Sequence, residues 1–209
     1  MRFLDRTDAG ERLAPLVAAE VAGPAVVLGV PRGGVVVAVP IARFLDAPLD
    51  VVIPRKIQAP GNPELGLGAV APGVRVLDDR LIARLGVPAS YLEDEIAREE
   101  AEIDRRARRY RGARPAPVLA GKVAVVVDDG VATGGTALAA LAWARAQGPV
   151  AVVFAAPVGP TDTAARLAEA CDACVVPEQP ASFFAVGQWY EDFTQVEDDE
   201  VRAALGVRA

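Results

Sequence analysis

Short runs of β-branched and small apolar residues alternate along the chain with longer stretches whose apolar positions recur at helical spacing. The runs 25–30, 49–54, 123–127, 149–156 and 173–177 lack the alternation of a half-wet strand and predict strands buried on both faces. Between them, residues 8–22 set Leu13, Leu16, Val17 and Val21 on one helical face, with Asp8 placed to cap. Residues 35–45 and 161–170 read as further helices, and Leu138, Leu141 and Ala142 give a helical period just after Thr136. Strands alternating with helices predict an α/β fold on a doubly wound, mainly parallel sheet, with ligands at the carboxyl ends of its strands.

The stretch 78–114 breaks this rhythm. Ser90-Tyr-Leu-Glu93 has the form of a capping box, and Leu92, Ile96, Ile103, Ala107 and Tyr110 make a thin apolar stripe on a long charged helix. Its basic cluster, Arg105, Arg106, Arg108, Arg109 and Arg111, shares the helix with Glu93, Asp94, Glu95, Glu99 and Glu100. The expected role is packing against the core or a second subunit, not nucleic-acid binding.

The chemistry concentrates after the run Val123–Val127, where Asp128 and Asp129 precede Gly130-Val131-Ala132-Thr133-Gly134-Gly135-Thr136. Glycines let a backbone approach an anion, Thr133 and Thr136 offer hydroxyls, and the following helix points unsatisfied N–H groups at the same spot. A phosphate fits there. The two carboxylates upstream suit the vicinal hydroxyls of an attached sugar, with or without a bridging cation. A second tip, Pro31-Arg32-Gly33-Gly34, follows the first strand, and its backbone N–H groups and guanidinium suit a diphosphate. Arg55 and Lys56 follow the next strand, and Lys56 and Lys122 are the chain's only lysines.

Composition narrows the classes. With 209 residues, 52% of them hydrophobic, and a mean hydropathy of +0.27, the chain can fill a core as one domain over 1–209. No apolar run approaches the ~20 residues of a membrane span, and the amino terminus lacks a signal-peptide stretch, which predicts a cytoplasmic protein without membrane association. A net charge of -6 argues against broad nucleic-acid binding. The absence of histidine excludes His triads, His bases and His metal sites. Cys171 and Cys174 form a lone Cys-x-x-Cys with no second pair for zinc, so they read as small residues at a strand rather than redox groups.

Asp-Asp-x-x-Ala-Thr-Gly-Gly-Thr over 128–136 resembles the ribose-phosphate signature of type I phosphoribosyltransferases, in the form found in adenine phosphoribosyltransferases. The resemblance implies that Asp128 and Asp129 hold the ribose 2′ and 3′ hydroxyls of phosphoribosyl pyrophosphate and take Mg²⁺, directly or through water. It implies that Gly130, Val131, Ala132, Thr133, Gly134, Gly135 and Thr136 wrap the 5′-phosphate. Pro31, Arg32, Gly33 and Gly34 are similar to the pyrophosphate loop, in which the Pro31–Arg32 peptide would be cis. Arg55 and Lys56 are similar to the pair that reaches pyrophosphate. Residues 57–73 then look like the flexible loop and ribbon that close over substrate, excluding water from the reacting carbon. Residues 182–193 resemble the hood of hypoxanthine-guanine enzymes, with Phe184 stacking on the base, Val186 giving a backbone contact, and Glu191 or Asp192 as the acid beyond. On this likeness 178–195 is a hood or base-binding segment and 78–114 a helical insertion.

The implied activity is Mg²⁺-dependent transfer of 5-phosphoribosyl to a nitrogenous base, purine favoured, with release of pyrophosphate. Positive charge grows on the ribose and negative charge on the leaving group, which Arg32 or Lys56 would stabilise with the metal. Ala132 stands where hypoxanthine-guanine enzymes place a base-contacting Asp, and Glu64 is a stand-in for the loop Glu of adenine enzymes. A homodimer is the implied assembly. The alternative is a non-catalytic sensor that binds phosphoribosyl pyrophosphate or a nucleotide; more remote is a phosphotransfer or nucleotide-hydrolysing enzyme with the same cradles.

Overall fold

The computed structural model describes residues 2–207; Met1, Arg208 and Ala209 lie outside the described residues. Five parallel strands form the central sheet: β1 (Ala25–Gly29), β2 (Leu49–Val51), β6 (Val123–Val127), β7 (Ala151–Ala155) and β8 (Ala173–Val175), in spatial order β2-β1-β6-β7-β8. β1 and β6 are buried along their whole length, as uninterrupted apolar runs require. Register aligns their ends: Gly29 pairs with Val51 and Val127, and Val127 with Ala155, so the loops that follow emerge side by side.

Side-chain alternation along the strands sends successive residues into two cores. Val26, Leu28, Val126 and Phe154 pack with Ala140, Leu141 and Trp143 of α5 (Gly135–Ala146) and with Leu167 of α6 (Thr161–Ala168). Val27, Val125 and Val153 point the other way, onto Leu13 and Val17 of α1 (Arg6–Ala18) and Val37 and Ile41 of α2 (Gly33–Phe44). The doubly wound α/β expectation therefore holds.

An antiparallel ribbon, β3 (Arg55–Ala59), β4 (Asn62–Ala71) and β5 (Val74–Leu77), stands beside the sheet. The helical insertion follows as α3 (Asp79–Leu85) and α4 (Ala89–Arg111). A third core joins them: Ile57, Leu67 and Val70 of the ribbon meet Ile96, Ile103 and Tyr110 of α4, Val201 of α7 (Asp198–Ala204) and Leu205 just after it. The stripe on α4 is thus spent on the chain's own core.

Several local expectations shift. Asp5, not Asp8, caps α1, its carboxylate accepting from the Asp8 N–H; the Asp8 carboxylate accepts instead from Leu4 N–H. The Ser90 box does not form, because Pro88 takes the cap position before α4 and leaves Ser90 inside the first turn. β2 stops at Val51, ahead of Pro54, which cannot donate to a ladder, and Arg55 and Lys56 open the ribbon instead of ending a sheet strand. Residues 57–73 are ribbon through most of their length.

Segment 178–195 carries one short 3₁₀ turn, Val186–Trp189, and is laced to the amino terminus. Phe3 N–H donates to Trp189 C=O at 2.8 Å, Glu191 N–H to Phe3 C=O at 2.8 Å, and Asp192 N–H to Leu4 C=O at 2.9 Å. Phe3, Ala9 and Tyr190 are buried together there.

Candidate functional site

Pairing of β1 with β6 brings the Arg32-Gly33-Gly34 tip against the acidic pair. A Cβ on Gly33 would lie 1.9 Å from Asp129 Oδ2, and one on Gly34 would lie 2.6 Å from Val127 O and 2.8 Å from Asp128 Cα. The two glycines therefore make the close approach of the loops possible. The Pro31–Arg32 peptide is cis. Arg32 lies 3.6 Å from Glu197 and 3.8 Å from Asp198, so the carboxyl-terminal helix supplies its counter-charge.

Two carboxylates side by side need compensation. Asp129 Oδ2 accepts from Arg6 Nε at 2.7 Å, and the Asp128 carboxylate accepts from the Asp129 N–H at 2.9 Å. Burial first, and then the charge of Asp129, push the Asp128 carboxyl well above the ordinary carboxylate range. Burial raises Asp129 as well, with Arg6 pulling against it. The Tyr190 hydroxyl donates to Asp129 C=O at 2.5 Å, and Val186 packs on Gly130, so the tail clasps the acidic loop from outside.

Next along the edge, Gly134 starts α5 in the left-handed region at φ 71°, with no side chain capping the helix. Orphan N–H groups and the positive end of the dipole thus face outward there. α6 braces this loop: Thr163 Oγ1 donates to Ala132 C=O at 2.8 Å, and Arg166 donates to Thr133 C=O. A cleft of about 750 Å³ opens beside it, lined among others by Lys56, Glu64, Arg80, Thr133, Thr136 and Arg166. Lys56 reaches across the ribbon tip to Pro63 C=O and Glu64 C=O. A smaller cleft of about 390 Å³ adjoins Ala132, Thr133, Thr163 and Phe183.

The structure gathers Gly33 and Gly34 with Asp129 and Asp128, and gathers Lys56 and Glu64 with Thr133, Gly135 and Thr136, while the Arg32 side chain turns to Glu197 and Asp198. Val131 is buried, its N–H donating to Val158 C=O, so it anchors the loop from inside. Three residues stand apart. Arg55 turns to α4 and pairs with Glu99 at 2.6 Å. Phe184 is 87% exposed, whereas its neighbour Phe183 faces the smaller cleft. Asp192 accepts from the backbone and hydroxyl of Thr194 in a local turn. Sequence reasoning missed Arg6, Tyr190, Thr163 and Arg166. A charged residue in a first helical turn gives no warning of burial, and the loop-bracing pair shows no motif.

No group of three or more His, Cys, Asp or Glu among the described residues is arranged to hold a metal ion. A Mg²⁺ held by one or two carboxylates together with substrate phosphates needs no such cage, and the acidic pair beside the Gly-Gly tip suits that arrangement. No helix among the described residues is long and apolar enough to cross a membrane.

The fold and site together define a doubly wound α/β domain that sets a Gly-Gly tip on an acidic pair at its sheet edge, with a Thr-Gly-Gly-Thr loop at the next helix N-terminus. The chain belongs to the phosphoribosyl transferase domain family, whose model matches residues 9–188. It is 48% identical over 204 residues to a Mycobacterium tuberculosis protein named "Putative phosphoribosyl transferase Rv0571c", covering 97% of this chain and 46% of that protein. The chain thus spans about half the length of the curated relatives it matches. The crystal structure of TT1426 from Thermus thermophilus is similar at TM-score 0.82 and 45% identity, with 98% of each chain covered. A purine phosphoribosyltransferase from Pyrococcus horikoshii shares the fold at TM-score 0.51 and 19% identity, covering 94% of this chain and 97% of that one.

Proposed function

We propose that the chain transfers 5-phosphoribosyl from phosphoribosyl pyrophosphate to a nitrogenous base, a purine by preference, releasing pyrophosphate. The observation that carries this reading is the packing of Gly33 and Gly34 directly on Asp129 and Asp128, which supports a diphosphate and a ribose diol being bound side by side. In the reaction the bond from the anomeric carbon to the pyrophosphate oxygen breaks and a bond to a base nitrogen forms. Gly33, Gly34 and Arg32 receive the leaving diphosphate, and Thr133 through Thr136 hold the 5′-phosphate, so both ends of the ribose are held while charge develops between them. Lys56 and Glu64 face that loop from the ribbon, at the side from which the site can be closed to water. Asp128 and Asp129 would hold Mg²⁺ with the diphosphate oxygens; its chemistry is neutralisation of the leaving group. Purine preference rests on the adenine-type loop, Ala132 included.

A second reading, a non-catalytic binder of the same ligand, draws on one observation: Phe184, the aromatic platform expected for the base, stands in solvent. The test is calorimetric titration with phosphoribosyl pyrophosphate and Mg²⁺ on wild type and on Asp128→Asn/Asp129→Asn, then a base panel read by pyrophosphate release. Binding lost in the double variant with release stimulated by a purine supports the transferase. Binding without turnover on any base supports the sensor, and no binding to wild type overturns both.

A further inference from the structure

The Asp129 carboxylate is held by a residue far away in sequence. We infer that Arg6 is a positioning residue of the sugar-diphosphate site, fixing Asp129 against the Gly33 tip and tying the amino-terminal helix and the tail to the acidic loop. Its side chain is 10% exposed, a depth at which a charge needs partners. The partners come from three directions. Nε donates to Asp129 Oδ2 at 2.7 Å, a terminal nitrogen donates to Thr194 C=O at 2.8 Å, and the guanidinium carbon lies 3.9 Å from the Phe193 ring centroid. A Cβ on Gly33 would come within 2.6 Å of Arg6 Nε, so the pair also forms the floor under the diphosphate tip.

This arrangement leaves Asp129 one place to go. Gly33 closes one side, Arg6 directs the carboxylate, and Tyr190 grips the same residue by its carbonyl. Planarity matters: a guanidinium donates along the carboxylate while stacking flat on a ring, which an ammonium cannot do. Arg6 hydrogen-bonds Asp129 and reaches Asp128, packed on Gly34, only through its charge, so of the two acids Asp129 is the one held in orientation from behind. The titratable groups facing the pair are Asp128 on the same loop, Asp192 on the tail, and the Tyr190 phenol, which burial keeps neutral.

The functional consequence rests on the proposed reading that the site takes phosphoribosyl pyrophosphate, so two readouts are taken on the full chain. The first is calorimetric affinity for phosphoribosyl pyrophosphate with Mg²⁺ in wild type, Arg6→Met and Arg6→Lys. Loss of an outer partner typically costs 10–100-fold, and that loss is expected for Arg6→Met, with partial recovery in Arg6→Lys and by added methylguanidinium in Arg6→Gly. The second needs no ligand: amide hydrogen exchange, which should rise in Arg6→Met over 128–136 and 31–34 while the sheet stays protected. Unchanged affinity together with unchanged loop exchange overturns the inference, as does exchange raised evenly across the molecule. If wild type binds no phosphoribosyl pyrophosphate, the proposed function falls and the exchange result alone decides the role of Arg6. Should Arg6→Met not fold, Arg6→Lys and Phe193→Leu carry the same two readouts.

Discussion

Replacing Gly33 by Ala should destabilise the protein, although helix propensity alone points the other way. Gly33 opens α2, and Ala is better than Gly inside a helix by about 1 kcal/mol. The new methyl, however, would sit 1.9 Å from Asp129 Oδ2 and 2.6 Å from Arg6 Nε. The carboxylate must leave Arg6, and stranding one partner of a buried ion pair costs about 3–5 kcal/mol. Set against the propensity gain, the net loss is about 2–4 kcal/mol. For a chain of this length each kcal/mol moves Tm by roughly 2–4 °C, so a fall of about 4–16 °C is expected. Urea unfolding reads the same change as a lower midpoint at unchanged m. Gly135→Ala is the control, since that glycine also starts a helix but a Cβ there meets nothing within 4 Å; it should be neutral or slightly stabilising. A Gly33→Ala protein as stable as Gly135→Ala would refute the claim that the tip and the acidic pair are packed in contact.

The acidic pair should carry a stability penalty of its own. Because burial and Asp129 raise the Asp128 pKa, the folded state holds that proton more tightly than the unfolded chain, and stability falls as pH rises through the raised value. Asp128→Asn, which keeps an acceptor for the Asp129 N–H, should therefore flatten the fall of Tm as pH rises above the ordinary carboxylate range, and raise Tm there, while weakening phosphoribosyl pyrophosphate binding; a Tm below wild type across that range counts against this. In the insertion, Ile103 is 1% exposed, so Ile103→Ala should cost about 2–5 kcal/mol in chemical denaturation, whereas a loss under about 1 kcal/mol would mean that α4 is not part of the core.

Much of the fold was legible because its signals are local. Short, β-branched apolar runs bounded by turn residues read as strands buried on both faces, and their alternation with helical periods points to a parallel doubly wound sheet. The acidic pair, the Thr-Gly-Gly-Thr loop and the Arg-Gly-Gly tip were legible for a similar reason: each is contiguous, and glycines and hydroxyls ahead of a helix suit a backbone that approaches an anion. Helix boundaries were less so, since Asp5 and Asp8 are equally good caps until the chain's entry into α1 chooses between them.

What only the tertiary structure decided is where charges find their partners. Nothing in an Arg at position 6, or in one at position 55, says that the first is buried on Asp129 while the second pairs with Glu99 away from the site. Those partners lie 123 and 44 residues away, brought near by sheet order and by the docking of α4, and an ion pair leaves no periodicity in either segment. The sequence by itself therefore determined the sheet strands, the glycine-rich loops beside the acidic pair, and the family. The three-dimensional packing determined which carboxylate is held, by what, and which of the aromatic tail residues stands at the site, because burial and pairing are properties of neighbours in space rather than along the chain.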